Sequence, residues 1–224
     1  MRDKELLIFD MDGTIIDSIP ALAKSVNYAL KELNLPTYPQ EVIANWVGNG
    51  ADILIKRGLC GKKDYIEPNE EIFKKAKELL LNYYKDHLTD GCSLFDGVLD
   101  TLEYLYNKNY TLAIATNKPH NFVQTMLKDF NIDRFFKVAL GAGIVPNKKP
   151  HPDILLKICS DLDIDKNSSV MIGDSSSDIK AAKAANIDSI ALTFGYNQGV
   201  DLKSLNPTYI FDRFDKLKEI FWNN

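Results

Sequence analysis

The sequence predicts an α/β protein, with helices on both faces of a parallel sheet and an all-helical insert after the first strand. In the second half of the chain, apolar runs of strand length alternate with amphipathic runs of helix length, as in parallel sheets. Between a first apolar strand at residues 6–9 and residue 88, the patterns are helical. We therefore predict a core formed by residues 1–14 and 89–224. Residues 15–88, called the helical insert below, would form a cap domain.

Four helices are predicted in the helical insert, and no convincing strand. Pro20 suits a first helical turn, and apolar residues recur at three- and four-residue steps from there to Leu33. Pro36 ends this helix. The other predicted helices of the insert span residues 40–47, 51–59 and 70–88.

The core is predicted to alternate helices with strands. Its predicted helices span residues 98–108, 120–130, 153–162, 176–185 and 214–221. Its predicted strands after the first span residues 110–115, 136–140, 169–172, 189–192 and 209–211. Because ligands bind at the carboxyl ends of strands in open parallel sheets, polar residues just after these strands are the site candidates.

Composition excludes several classes of function. The chain has 224 residues, 45% of them hydrophobic, and a net charge of −4, which argues against nucleic acid or an anionic membrane as the main partner. Cys60, Cys92 and Cys159 form neither a disulfide framework nor a zinc signature, so we expect a reducing compartment. No signal peptide or membrane-spanning run is evident. We expect a cytoplasmic monomer or homodimer that acts on a small molecule.

Chemically useful side chains follow three predicted strands and precede one helix. They are Asp10 and Asp12 after the first strand, Thr116 and Asn117 after the second, Asp174 after the fourth, and Lys149 before a helix. Two carboxylates held close together need a compensating cation or proton. The cation that suits oxygen-only ligands is magnesium, which we therefore expect as cofactor.

This set of side chains fits phosphoryl transfer. Asp10 can attack phosphorus and form an aspartyl phosphate, which divides one difficult displacement into two easier steps. Asp174 can share a metal with Asp10, and Thr116 and Lys149 can hold the phosphoryl oxygens. Asp12 lies next to the nucleophile and can transfer protons.

The run Asp-x-Asp-Gly-Thr-x-x-Asp-Ser, residues 10–18, resembles the first motif of the haloacid dehalogenase-like hydrolases. The other three elements follow in the order of that superfamily's motifs, and the resemblance covers nearly the whole chain. It implies a Rossmann-like core with a helical cap between the first and second motifs.

The resemblance also implies a role for each motif residue. Asp10 is then the nucleophile, and Asp12 is the general acid/base whose backbone carbonyl also binds the metal. Thr116 and Lys149 bind the phosphate. Asp174 is a magnesium ligand, and Asp178 is a second acid that supports the metal.

A glycine loop in the helical insert indicates the substrate. Gly48, Asn49 and Gly50 precede a helix whose free N–H groups can bind an anion. The stretch from residue 46 to residue 52 resembles the cap loop of bacterial phosphoglycolate phosphatases, which implies 2-phosphoglycolate as substrate. Arg57 is a weaker candidate for the substrate carboxylate, since it lies roughly 10 Å further along that helix. Gly13, Thr14 and Asn117 are also expected to contact the substrate.

Other functions remain open at this point. The core motifs fit a phosphosugar mutase, a pyrophosphatase or a nucleotide phosphatase equally well. A non-catalytic phosphate-binding regulatory protein is a different class, although it would not need an acid/base at Asp12. A 2-haloacid dehalogenase is disfavoured because that chemistry does without an acid there.

Some polar residues have simpler interpretations. We expect Lys118 and Lys148 to be solvated charges and leave both out of the site. Asp17 is expected to cap the first helix of the insert, and Asp178 suits the first turn of its own helix. The tyrosines at 83–84 are expected to serve packing.

Overall fold

Six parallel strands form the central sheet of the computed structural model, which describes residue 1 and residues 3–221. The strands are β1 Leu6–Phe9, β4 Thr111–Pro119, β5 Phe136–Ala142, β6 Ser169–Gly173, β7 Asp188–Leu192 and β8 Tyr209–Phe211. Their order in the sheet is β5-β4-β1-β6-β7-β8, so β1 lies between β4 and β6. The predicted α/β class and its parallel sheet are confirmed.

Helices cover both faces of the sheet and fill the insert. Those of the insert are α1 Ile19–Glu32, α2 Gln40–Ala44, α3 Ala51–Cys60 and α4 Glu70–Asp86. Those of the core are α5 Val98–Asn107, α6 His120–Asp129, α7 Asp153–Leu162, α8 Ser176–Ala185 and α9 Leu217–Ile220. Among the described residues, each helix is too short or too polar to cross a lipid bilayer.

Alternate residues of the central strands enter separate hydrophobic cores. Leu7 and Phe9 belong to the larger core, which also contains apolar side chains of the helical insert. Leu6 and Ile8 face the smaller core formed with α7 and α8. All four residues of β1 are fully buried, which explains why its sequence is a continuous apolar run rather than an alternating one.

Two predictions about local structure are wrong. The insert does contain a strand, since β2 Ile16–Asp17 pairs antiparallel with β3 Ser93–Leu94. Two residues are too few for an alternating pattern to be recognised. The predicted final helix at 214–221 is divided into a 3₁₀ turn, Phe214–Lys216, and the short helix α9.

A tight turn after β1 directs the chain toward the helical insert. Backbone N–H groups of Ile15 and Ile16 both donate to the carbonyl of Met11, each at 3.0 Å. Gly13 has a φ of +85°, and a Cβ there would lie 2.3 Å from an Asp174 carboxylate oxygen. Only glycine fits this position, so the turn brings the first motif against the end of β6.

Candidate active site

The sheet order brings three acids to one place. Asp10 follows β1, and Asp174 follows the neighbouring strand β6, while Asp178 lies in the first turn of α8. A carboxylate oxygen from each lies within 4.8 Å of the others, and all three residues are buried. This is the arrangement expected where two adjacent parallel strands end at the same edge of a sheet.

Lys149 lies among these acids. Its Nζ donates to Asp178 Oδ1 at 2.6 Å and to the carbonyl of Ala115 at 2.6 Å, and it lies 3.1 Å from Asp10 Oδ1. The side chain is 1% exposed. Burial lowers the pKa of Lys149, but attraction to Asp10 and Asp178 outweighs it, so that the pKa is raised. Lys149 is therefore a buried permanent cation beside Asp10.

One ammonium does not neutralise three buried carboxylates. Burial raises the pKa of Asp10 to about 7, with Lys149 opposing the shift and Asp178 adding to it. Burial, followed by repulsion from Asp178 and Asp10, raises the pKa of Asp174 well above its usual range. Oxygen-only donors with excess negative charge fit a hard divalent cation.

Asp174 is held by two donors. Thr14 Oγ1 donates to Asp174 Oδ1 at 2.6 Å, and the backbone N–H of Tyr196 donates to Asp174 Oδ2 at 2.5 Å. The Tyr196 hydroxyl donates to Asp17 at 2.5 Å and accepts from the N–H of Ser18 at 2.9 Å. Thr14, expected at the substrate, is thus fully buried against an acid.

Tyr196 is a site residue that the sequence analysis missed. Its one available signal was its position in a glycine-containing loop after the carboxyl end of β7. The expected helix-capping role of Asp17 is present, because its carboxylate accepts from the N–H of Ile19 at 3.3 Å.

Asp178 both caps its own helix and takes part in the acid cluster. Its Oδ2 accepts from the N–H of Ser175 at 2.9 Å and from the Ser175 hydroxyl at 2.6 Å, which caps α8. Its Oδ1 accepts from Lys149. A helix cap therefore orients the acid that holds the site lysine.

Strand β4 is irregular where it enters the site. Its pairing with β5 shifts register between Ala115 and Pro119, which leaves the three residues between them unpaired with β5. Thr116 Oγ1 accepts from the N–H of Lys118 at 3.2 Å. Asn117 accepts from the N–H of Lys149 and donates to its carbonyl, both at 3.0 Å, so Asn117 fixes the Lys149 backbone.

The prediction that Lys118 is a solvated charge is wrong. Its side chain is 1% exposed, and Nζ donates to both oxygens of Asp12, at 2.9 and 3.0 Å, and to the Tyr84 hydroxyl. Burial lowers the pKa of Lys118, but the contacts with Asp12 and Tyr84 raise it by more than burial lowers it. The net shift is upward, so Lys118 stays protonated. No local signal distinguishes Lys118 from a solvated lysine, because its partners Asp12 and Tyr84 are distant in the chain. Lys148, by contrast, is exposed as expected.

The helical insert and the core line one cavity. Asp10, Asp12, Thr116, Asn117 and Lys118 form its polar wall. The other residues that line it are mostly apolar side chains and glycines of the helical insert; these are Leu22, Val47, Gly48, Gly50, Ala51, Leu54, Leu80, Leu81 and Tyr84, with Pro119 from the core. The loop and Asp10 therefore line the same cavity, and the Asn117 amide donates to the carbonyl of Gly48 at 3.4 Å.

Asn49, between the two glycines, turns away from the cavity to hold the loop. Its Nδ2 donates to Ser177 Oγ at 3.3 Å, and its Oδ1 accepts from Arg57 at 3.0 Å and from Gln198 at 2.9 Å. Arg57 also donates to the carbonyls of Trp46, at 2.6 Å, and of Lys63, at 3.0 Å. The guanidinium of Arg57 thus braces the loop and does not line the cavity. Gln198 is a second contact that the sequence analysis missed.

The family model of the haloacid dehalogenase-like hydrolases matches residues 7–192. The chain therefore belongs to the haloacid dehalogenase-like hydrolase family. Similar proteins narrow the class to phosphoric monoester hydrolases, which makes this protein an enzyme of the phosphatase type.

Several proteins that align with nearly the whole of this chain have the same name. A phosphoglycolate phosphatase of Colwellia psychrerythraea is 44% identical over 97% of this chain and 96% of its own. That of Haemophilus influenzae is 40% identical over 96% of this chain and 97% of its own. The crystal structure of a protein from Haemophilus somnus, described as a predicted phosphoglycolate phosphatase, superposes with a TM-score of 0.92 at 37% identity, covering 99% of this chain and 100% of its own.

Proposed function

We propose that this protein is a magnesium-dependent phosphatase that hydrolyses 2-phosphoglycolate to glycolate and phosphate through an aspartyl phosphate on Asp10. The observation that carries the proposal is the shared cavity, which Asp10 and Asp12 line together with the glycine loop. The names of the relatives support the choice of substrate.

In the first step, a carboxylate oxygen of Asp10 attacks phosphorus, and the bond from phosphorus to the glycolate oxygen breaks. Lys149 lies 3.1 Å from Asp10 and offsets charge on the phosphoryl oxygens, while the Thr116 hydroxyl can donate to one of them. Asp12 gives a proton to the leaving glycolate oxygen.

In the second step, water attacks the phosphorus of the aspartyl phosphate. Asp12 takes a proton from that water, and the bond from phosphorus to the Asp10 oxygen breaks, which restores the carboxylate. Apolar side chains of the helical insert that line the cavity, among them Leu54 and Leu80, limit the access of other water.

Asp10, Asp174 and the backbone carbonyl of Asp12 would hold the magnesium ion, with Asp178 supporting them. The donor set fits, because the three carboxylates are buried, close and incompletely neutralised. When bound, the ion supplies Lewis-acid stabilisation of the phosphoryl oxygens.

We also propose that residues 15–88 act as a mobile cap. The two connections to the core lie side by side, since Ile16 pairs with Leu94 and Asp17 with Ser93. Two adjacent short connections suit a rigid-body hinge, which would admit substrate and then exclude water.

A substrate screen with magnesium tests the proposed activity. We expect kcat/KM to be highest for 2-phosphoglycolate among small phosphoacids, sugar phosphates, nucleotides and pyrophosphate. Equal or better turnover of pyrophosphate or a nucleotide would overturn the substrate assignment. Isomerisation of a hexose 1-phosphate without phosphate release would instead indicate a mutase.

Metal removal should change both activity and stability. We expect chelation to abolish turnover and magnesium to restore it. Burial raises the pKa of Asp10 to about 7 and raises that of Asp174 well above its usual range. The metal-free protein is therefore more stable while these groups are protonated and loses that stability as pH rises through their raised pKa values, about 7 for Asp10. Magnesium should therefore raise Tm more at about pH 8 than at about pH 6. A magnesium shift that is equal at both pH values, or full activity in chelator, would contradict the metal site.

Gly50 provides a test of the loop. Its φ is +85°, and a Cβ would lie 3.1 Å from the carbonyl oxygen of Asn117, so Gly50→Ala should displace the loop from the cavity. We expect kcat/KM for 2-phosphoglycolate to fall at least tenfold more than for an aryl phosphate, whose leaving group needs no carboxylate contact. Gly143→Ala is the matched control, because Gly143 also has a positive φ but has no atom within 4 Å of an added Cβ. Equal losses on both substrates would show that the loop does not select the substrate.

A further inference from the structure

Lys118 is a buried cation that the mechanism above leaves without a role. An ammonium group has three N–H donors. Here two of them point to the two oxygens of Asp12, at 2.9 and 3.0 Å, and one points to the Tyr84 hydroxyl. All three donors therefore have acceptors within the protein, and two of them donate to the same carboxylate.

Asp12 needs such a support because it projects from a turn into the cavity. Its side chain is 14% exposed, and the described hydrogen bonds to its carboxylate come from Lys118. A carboxylate on a turn has several staggered rotamers. Two contacts from one fixed ammonium select a single orientation of the carboxylate in the cavity that Asp10 also lines.

Tyr84 links this support to the helical insert. It lies on α4, is 2% exposed, and packs its ring edge-on against Phe122 of α6 at 5.3 Å between centroids. Its ring centroid is 4.7 Å from the Lys118 ammonium, in addition to the hydroxyl contact. The ammonium thus joins a side chain of the insert to a side chain of the core.

We propose that Lys118 is the positioning residue of Asp12, and that Tyr84 holds Lys118 in place only while the helical insert is docked on the core. The proposal rests on the proposed acid/base role of Asp12. It gives cap closure a second effect besides excluding water, since Asp12 becomes correctly oriented at the moment the cavity closes.

The competing interpretation is that Lys118 binds the carboxylate of the substrate directly. The observed contacts favour positioning, because a new ligand on Lys118 would have to displace Asp12 or Tyr84. The two interpretations differ in the kinetic constant that they change. Positioning acts on kcat for every alkyl phosphate, whereas substrate binding acts on KM for substrates that carry a carboxylate.

The test compares Lys118→Met on 2-phosphoglycolate and on 2-hydroxyethyl phosphate, an alkyl phosphate without a carboxylate. We expect kcat to fall by on the order of 10²-fold on both substrates, with little change in KM. Lys157→Met, on the exposed face of α7, is the control and should leave both constants unchanged. A loss confined to KM for 2-phosphoglycolate would overturn the proposal.

Tyr84→Phe keeps the test decisive if Lys118→Met does not fold. It removes one hydroxyl and keeps the ring against Phe122, so we expect a fall in kcat of about two- to tenfold on both substrates. Tyr83→Phe is its matched control, since the Tyr83 ring stacks on Tyr28 and His87. Equal kcat values for Tyr84→Phe and Tyr83→Phe would contradict the role of Tyr84.

A double-variant cycle separates the failure of this inference from the failure of the proposed function. If Lys118 acts through Asp12, then Lys118→Met combined with Asp12→Asn should be no slower than Asp12→Asn alone. Losses that multiply would overturn the inference and leave the acid/base role intact. Normal turnover by Asp12→Asn would overturn that role, and the inference with it.

Discussion

Asp10→Asn is expected to lower kcat by on the order of 10⁴-fold or more, because an amide cannot replace the attacking carboxylate. The fold should survive the change. Burial raises the pKa of Asp10 to about 7, so above that pH its ionised form lowers the free energy of unfolding of the metal-free protein. We therefore expect the metal-free variant at about pH 8 to have a Tm equal to or above that of the metal-free wild type.

Thermal unfolding and steady-state rates on the same preparation check this prediction. Asp161→Asn, on the surface of α7, is the control and should change neither quantity appreciably. Turnover by Asp10→Asn within about tenfold of wild type would show that Asp10 is not the nucleophile.

Lys149→Met is expected to have the second large effect. It removes the ammonium that lies 2.6 Å from Asp178 and 3.1 Å from Asp10. The two buried acids then lose the cation that partly neutralises them. Breaking a buried ion pair by removing one partner costs about 3–5 kcal/mol in the free energy of unfolding. We expect that loss of stability, together with a fall in kcat on the order of 10³-fold.

The neighbouring lysine is the matched control. The Lys148 side chain is 40% exposed and lies 3.8 Å from Asp52, so Lys148→Met should change the free energy of unfolding by less than about 0.5 kcal/mol. Denaturant unfolding of both variants measures the contrast. Similar stabilities for Lys149→Met and Lys148→Met would contradict the buried network around Lys149.

The sheet and its site edge could be predicted because their signals are local. Each parallel strand is a short apolar run, and a polar residue directly after it must lie at the carboxyl edge. Asp10, Thr116 and Asp174 were found in this way, and β1 between β4 and β6 explains why they meet. The strand β4 was predicted too short, because its last residues are the polar ones that enter the site.

The contacts between the insert and the core could not be predicted in the same way. Tyr84 looked like a packing residue and Lys118 like a solvated charge, since nothing local shows that residues 34 positions apart share a hydrogen bond. Gln198 and Tyr196 lie in a loop after β7, and their partners, Asn49 and Asp17, lie in the insert. Such pairs depend on how the helical insert docks, which periodicity does not encode.

The site lysines illustrate both a position that the sequence identified and a position that it missed. The family resemblance assigned the phosphate-binding role to Lys149 and not to Lys148, and the structure buries Lys149 while leaving Lys148 exposed. No family pattern was applied to Lys118, which was assigned to solvent, and the structure buries it.

Rapid acid quench during turnover of 2-phosphoglycolate labelled with ³²P in its phosphate tests the central claim most directly, namely that Asp10 accepts the phosphoryl group. We expect a burst of protein-bound label that is lost on treatment with hydroxylamine, as for an acyl phosphate, and that maps to the peptide containing Asp10. The label should be absent from Asp10→Asn. Protein-bound label on a peptide without Asp10, or turnover that never passes through labelled protein, would contradict the account.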